Sequence, residues 1–382
     1  MTIKSLKLFI LALTTALLSL SDLQVLADPV SVNPRPRMLS MGGAGVATLG
    51  DKDSAMMNPA SLNDVKESRI EVLPILIEIP FSITTMTDYL DFQEALDREG
   101  ATNATKRAAM QEFLSDVGSS ALGTRVNIYP SWTRKNFHIG VMADIYVNPR
   151  FRLGGVMADQ VVELGGSSGT LGLIVGGSYA FLGGALQVGA SLKPLYRMPI
   201  TKEQAQTTYD FIKGRDPGTN IEDEILGSTL LDKKAFGIGG DLGIKYFVPY
   251  FTQFKPTIGV TLQDVGNTRF FAGDKLAQIE QSLSAGIALH YDWSFTRNTF
   301  AVDFRNMLEK QDFENKVHFG AESVLWNMLA VRAGMSQLYW TAGLGLETKF
   351  FEFDLYLAAK EAGDRAHIQE ERVLGTRIAF AL

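Results

Sequence analysis

In the last hundred residues, apolar side chains alternate one by one with small or polar ones. Ala285, Ile287, Leu289 and Tyr291 alternate with Ser284, Gly286, Ala288 and His290, and Phe300, Val302 and Phe304 with Thr299, Ala301 and Asp303. The same period of two runs through Val317 to Glu322, Leu329 to Met335 and Phe351 to Leu357. Each stretch predicts a β-strand with one apolar face and one small or charged face. Further strands are predicted near 70–79, 123–132, 137–147, 151–164, 168–181, 184–197, 234–248, 255–265, 339–348 and 371–382, which makes fifteen in all. Alternation alone fits a soluble sandwich or a lipid-facing barrel equally well.

The beginning of the chain decides between them. Lys4 and Lys7 precede an apolar run from Leu8 to Leu20, and Val25-Leu26-Ala27 offers a cleavage site, so residues 1–27 read as a signal peptide. The run is too short for a comfortable membrane span and has no positive flank after it. Exported strands with one apolar face point to a transmembrane antiparallel β-barrel in the outer membrane of a Gram-negative cell. The bulk figures agree: 36 Gly, 23 Phe, 11 Tyr and a mean hydropathy of only +0.05. A net charge of −6 argues against nucleic acid as a partner, and the absence of cysteine removes disulfides and thiolate chemistry.

A closed meander with both termini on one side needs an even number of strands. Two long connections, 82–122 and 198–233, should both be outer loops, because inner turns of bacterial barrels are short. That sidedness requires four strands between them, so 151–164 is assigned to an outer connection and fourteen strands remain. The inner turns then fall beside Trp132, Phe181, Tyr246, Phe247, Tyr250, Phe251, Trp293, Phe295, Trp326, Phe350 and Phe351, an aromatic girdle. The outer loops carry charge instead, as in Glu309, Lys310, Asp312 and Glu314. Within the two long connections, Asp91 to Val117 and Glu203 to Leu231 read as helical insertions lying over the barrel mouth.

Between the signal and the first strand, residues 28–66 follow no strand pattern. They contain Arg37-Met38-Leu39-Ser40-Met41-Gly42-Gly43-Ala44-Gly45-Val46-Ala47 and, later, Asn58-Pro59-Ala60-Ser61-Leu62. Gly42, Gly43 and Gly45 permit positive φ and close backbone approach, and Asn58-Pro59 forces a turn that should hand the chain to the first strand. A phosphate-binding loop is excluded, since no Lys-Ser/Thr follows and the spacing is not that of a dinucleotide fingerprint. This pattern resembles the N-terminal hatch of the FadL-type outer-membrane proteins and of their PorV-like and TraF-like relatives. Gly240-Asp241-Leu242-Gly243, Pro256-Thr257-Ile258-Gly259-Val260 and residues 317–335 are similar to the PorV and TraF branch. The resemblance implies a fourteen-stranded barrel, here 67–382, with a plug at 28–66 whose key residues are Gly42, Gly43, Gly45, Asn58, Pro59 and Ala60. In the FadL branch it implies hydrophobic substrates that bind inside and leave sideways into the membrane. In the secretion branch it implies capture of an exported protein.

The last strand alternates Ile378, Phe380 and Leu382 with Arg377, Ala379 and Ala381, as expected of a strand read by the barrel-assembly machinery. It ends in leucine where such strands usually end in an aromatic, so Phe380 is expected to take that part. By parity His290, Asp303, His318, Glu322, Arg332 and Asp354 face the lumen. His290, Asp303 and His318 could form an acid–base or metal site, but lumens are polar in any case and cross-strand polar networks stabilise them. No serine elbow, His-x-x-x-His or carboxylate cluster supports chemistry. The expectation is a non-enzymatic barrel without cofactor or metal, set in outer-membrane lipids, that passes a hydrophobic, fatty-acid-like small molecule. The alternative is a protein-binding barrel in secretion or surface attachment. An apolar lumen near the plug would favour the first, and a charged lumen under an apolar outer-loop surface the second.

Overall fold

The computed structural model describes residues 35–81, 123–147, 150–152, 161–163, 168–199, 235–271, 278–361 and 370–382, and single residues within 82–122. The signal peptide and nearly all of the two long insertions lie outside the described residues.

Fourteen antiparallel strands follow one another around a closed wall. They are β1 (Arg69–Pro80), β2 (Thr124–Ile128, resuming at Ser131–Arg134), β3 (Phe137–Val147), β4 (Ser168–Phe181), β5 (Leu186–Pro199), β6 (Ala235–Phe247) and β7 (Thr257–Gln263). Then come β8 (Ser282–Trp293), β9 (Thr296–Phe304), β10 (Val317–Leu325), β11 (Leu329–Ser336), β12 (Tyr339–Glu347), β13 (Phe351–Glu361) and β14 (Glu370–Ala381). Closure is between the ends of the chain: β14 pairs with β1 in the register Val72↔Phe380 and Ile77↔Thr376. A closed ladder leaves no open edge of unpaired backbone, which is what permits strands to cross lipid. The predicted 151–164 strand is absent from the wall. Arg150–Arg152 pairs with Val161–Glu163 as a separate short ribbon, so the connection is an outer one, as sidedness required.

The face on which the apolar residues lie is the decisive observation. Ile287, Leu289, Phe300, Val302, Phe319, Val331 and Leu355 are exposed on the outside, while Ser284, His290, Asp303, His318 and Asp354 are buried within. A sandwich would do the reverse, so the outer surface is built for lipid. No helix of the described residues is long and apolar enough to cross a membrane. The rim with the short turns carries exposed Trp132, Phe181, Tyr250, Phe251, Trp293, Phe295, Trp326 and Phe350, with Phe295 stacked on Trp326 at 5.5 Å. That belt suits the membrane–water boundary.

The wall is irregular at one place. β2 breaks at Tyr129-Pro130, because proline has no N–H for the ladder. Opposite it β1 carries a register shift between Val72 and Ile75, with Leu73 at φ +56°.

Candidate functional site: the lumen and its N-terminal segment

Residues 35–65 lie inside the barrel. They form helix α1 (Pro36–Ser40), a glycine turn, helix α2 (Ser54–Met57) and a 3-10 helix (Pro59–Asp64). Proline at the first position starts α1, and Gly42 and Gly43 end it at φ +65° and +83°. Gly43 N–H donates to the Met38 carbonyl at 2.8 Å, the six-to-one bond of a Schellman close. Gly42 N–H, which would complete that motif, instead donates to the Thr341 hydroxyl of the wall at 2.9 Å. Gly45 uses no positive φ, and its place is needed for the Met38 side chain.

The motif is matched by glycines in the wall. Gly320 and Gly334 are cross-strand partners, and a Cβ on either would strike Met41. Gly259, paired with Gly286, faces Val46 and Ala47, while the pair Gly189 and Gly243 faces Pro59. The segment therefore rests backbone to backbone on three bare patches of sheet. Asn58 ties these contacts together: its Oδ1 accepts from Ala60 N–H at 3.1 Å, and its Nδ2 donates to the Val46 carbonyl at 2.8 Å and the Ile244 carbonyl at 3.3 Å. The 3-10 helix after it packs against β4, β5 and β6. The chain thus reaches β1 only after Val65, and Asn58-Pro59 does not mark the handover that its sequence suggested.

Asp303 Oδ2 accepts from Gly45 and Val46 N–H at 2.6 and 2.8 Å. Its register partner His318 uses Nδ1 to donate to the Gly42 carbonyl at 2.6 Å. His290 lies between Thr257 and Thr299 hydroxyls at 3.4 and 3.3 Å. Two of the three residues that could have formed an acid–base site therefore hold the segment's backbone. Among the described residues no group of His, Asp and Glu could hold a metal ion.

One sector of the lumen is a chain of ion pairs. Arg37 reaches Glu322 at 2.7 Å, Glu322 reaches its cross-strand partner Arg332 at 2.8 Å, and Arg332 reaches Asp354 at 2.8 Å. Arg377 grips Glu352 and Glu71 at 2.7 and 2.6 Å, and Lys52 joins the same two carboxylates. At the short-turn end, fully buried Lys245 meets Asp64 and the Ser61 hydroxyl. Buried charges are tolerable only when mutually satisfied, and here the segment supplies part of that satisfaction. Parity alone placed Glu322, Arg332 and Asp354 in the lumen. Alternation does not reveal the partners Arg37, Lys52 and Lys245, although a lysine amid the apolar alternation of 235–247 is a signal.

Asp53 is the exception within the segment. It is buried, accepts no hydrogen bond from the described residues, and lines a water-sized cavity with Thr48, Asn58 and Ser61. Burial, then the neighbouring Asp51 carboxylate, push its pKa up to about 6. A carboxyl raised from its ordinary value is best tolerated protonated, so its stabilising contribution is present at low pH and lost as pH rises through 6. Seating of the segment should therefore tighten as pH falls from 7 towards 5. Asp53→Asn should tighten it at pH 7 and flatten that response, as read by protease release of residues 35–65.

Across the lumen an apolar cluster runs between further ion pairs, Lys193 with Asp241 on β5 and β6 and Arg125 with Asp144 on β2 and β3. Ala235, Phe270 and Ile279 near the mouth, then Leu195, Ile174 and Met142 down the wall, join Met56, Leu62 and Val65 of the segment in one buried cluster with Tyr129. Tyr129 stands at the break in β2. Its hydroxyl meets His138 Nε2 at 2.5 Å, and Thr133 meets Nδ1 at 2.7 Å.

No family model and no curated protein sequence matches this chain. Among solved structures it is similar to CymD, a monoaromatic hydrocarbon channel, with a TM-score of 0.51 and 14% identity over 93% of this chain and 98% of that one. It is also similar to the Ralstonia pickettii toluene transporter TbuX, with a TM-score of 0.50 and 14% identity over 92% and 98% of the two chains. At that identity the likeness is one of fold. The chain has the fold of the FadL-type barrels that its N-terminal motif resembles.

Proposed function

We propose that the protein is an outer-membrane barrel that passes hydrophobic small molecules, fatty-acid-like chains among them, through a lumen plugged by residues 35–65. The observation that carries this reading is the apolar column. It runs from Phe270 and Ile279 at the mouth, past Leu195 and Ile174, to Leu62 and Tyr129, between charges that are paired with one another, Lys193 with Asp241 and Arg125 with Asp144. Apolar cargo loses nothing by leaving water along such a path, whereas a sugar or ion would leave its hydration unreplaced. The column ends beside the interruption of β2 at Pro130 and the bulge of β1 at Leu73-Pro74, where the ladder is thinnest. Cargo leaves there sideways into lipid, and the ion-paired sector keeps the segment seated meanwhile. The C-terminal strand, with Phe380 outward, addresses the barrel to its assembly machinery.

Uptake into proteoliposomes tests this directly, with oleate and toluene as probes and glucose as the polar control. Both hydrophobic probes should enter faster than through empty vesicles, and glucose should not. Ile174→Asp, which sets a charge in mid-column, should cut hydrophobic uptake by about ten-fold or more, since an unpaired buried carboxylate costs several kcal/mol. If neither probe enters and an exported protein co-purifies instead, the barrel serves secretion or surface attachment.

A further inference from the structure

The connection from β7 to β8 folds back into the barrel mouth, and its two described arms are held there firmly. Lys193 on β5 pairs with Asp241 at 2.7 Å and Asp264 at 3.0 Å. Asp264 N–H donates to Asp241 at 2.9 Å, and the Thr268 hydroxyl donates to Asp264 at 2.7 Å. Thr268 and Ile279 bridge the arms through reciprocal backbone bonds of 2.8 and 3.0 Å. The effect is to place one aromatic ring at the top of the apolar column. Phe270 pairs with Gly237 of β6, and a Cβ on that glycine would lie 2.9 Å from the ring. Across the wall Gly237 is the partner of Leu195, and Ala235 the partner of Arg197. The Arg197 guanidinium carbon lies 5.5 Å from the Phe270 ring centroid. Its closest hydrogen-bonding partner among the described residues is the Ser168 hydroxyl, at 3.5 Å.

We propose that the outer end of the column is a binding site for a single aromatic ring, occupied in this state by Phe270 and read by Arg197. The inference rests on the passage reading above and names the cargo that its entry favours. Arg197 is half-buried, feels the Asp144 carboxylate, and gains further compensation from an aromatic face but none from a saturated one. When Phe270 swings out, an incoming ring restores the contact with Arg197, while an alkane of equal size leaves the guanidinium facing hydrocarbon. Phe270 is therefore both gate and competitor, and the Lys193–Asp241–Asp264 cluster sets how readily it leaves.

Toluene and methylcyclohexane differ little in size and only one has a π face, so they separate this idea from passage in general. Binding to the purified full chain in detergent should favour toluene about five-fold, equivalent to about 1 kcal/mol. Arg197→Met should abolish the preference, bringing toluene down to the affinity of methylcyclohexane. Phe270→Ala and Phe270→Leu, checked for folding by heat-modifiability, should both tighten toluene binding several-fold. Equal binding of the two hydrocarbons to the unsubstituted chain, or no gain in either Phe270 variant, overturns the ring site even if both compounds cross the vesicle membrane. Toluene binding that depends on Arg197 without any uptake upholds the ring site and ends the transport reading.

Discussion

Deleting residues 28–60 should yield a barrel that assembles, remains heat-modifiable on gels, and leaks. Assembly is expected because the wall does not need the segment to satisfy its backbone: fourteen strands pair in a closed cycle, β14 with β1. Its outward apolar side chains are buried by lipid in either case. The charges left behind are largely matched among themselves. Glu322 keeps Arg332, and Glu71 and Glu352 keep Arg377, while water admitted to the emptied lumen solvates the rest. Cells carrying the deletion should become sensitive to large antibiotics and lose selective uptake of hydrophobic compounds. A deletion that never reaches the membrane would show the segment to be part of the fold and not a plug.

The second large effect comes from the wall side of the same contact. Gly259→Val should unseat the segment without weakening the strand that carries it. Valine is at home in a sheet, and Gly259 sits in the regular pairing of β7 with β8. The three atoms its Cβ would meet first are all backbone of the segment, among them Val46 C at 2.8 Å and Ala47 Cα at 2.9 Å. Backbone cannot swing aside as a side-chain tip can, so the overpacking cost of about 1–3 kcal/mol falls on the seating of the segment. Gly43→Val should do less to seating through contact, because what it meets first, Arg305 Nη1 and His318 Nδ1 at 2.9 Å, are side-chain ends. Its main penalty is φ +83°, roughly 1–2 kcal/mol for a residue with a Cβ. Protease release of residues 35–65 should rank the variants Gly259→Val, then Gly43→Val, then the unsubstituted chain. Equal protection of all three would mean that the segment does not rest on the bare patches of the wall.

Much of the wall was legible from period and parity because both are local. A strand that faces lipid on one side and a wet lumen on the other writes its own alternation, and the aromatic residues flanking short turns mark the rim. The strand boundaries moved only slightly, as where 184–197 became Leu186–Pro199. The strand expected at 123–132 is broken at Pro130, whose missing N–H is itself legible in the sequence. Parity could also say that Asp303, His318, Glu322 and Arg332 face inward.

What parity could not say is what those residues meet. Asp303 and His318 look alike whether they activate water or grip Gly42 and Gly45, since their partners lie more than 250 residues away in the chain. Sequence by itself determined an all-β chain with lipid-facing strands and a glycine-rich segment unfit to be one of them. Tertiary structure alone decided that wall glycines and segment glycines are two halves of one contact, because only ring closure brings β5 to β8, β10 and β11 around the same stretch of backbone. It also decided how the lumen divides between its ion pairs and one apolar column. That division depends on which strands become neighbours across the interior, and alternation within one strand carries no record of what stands across the lumen from it.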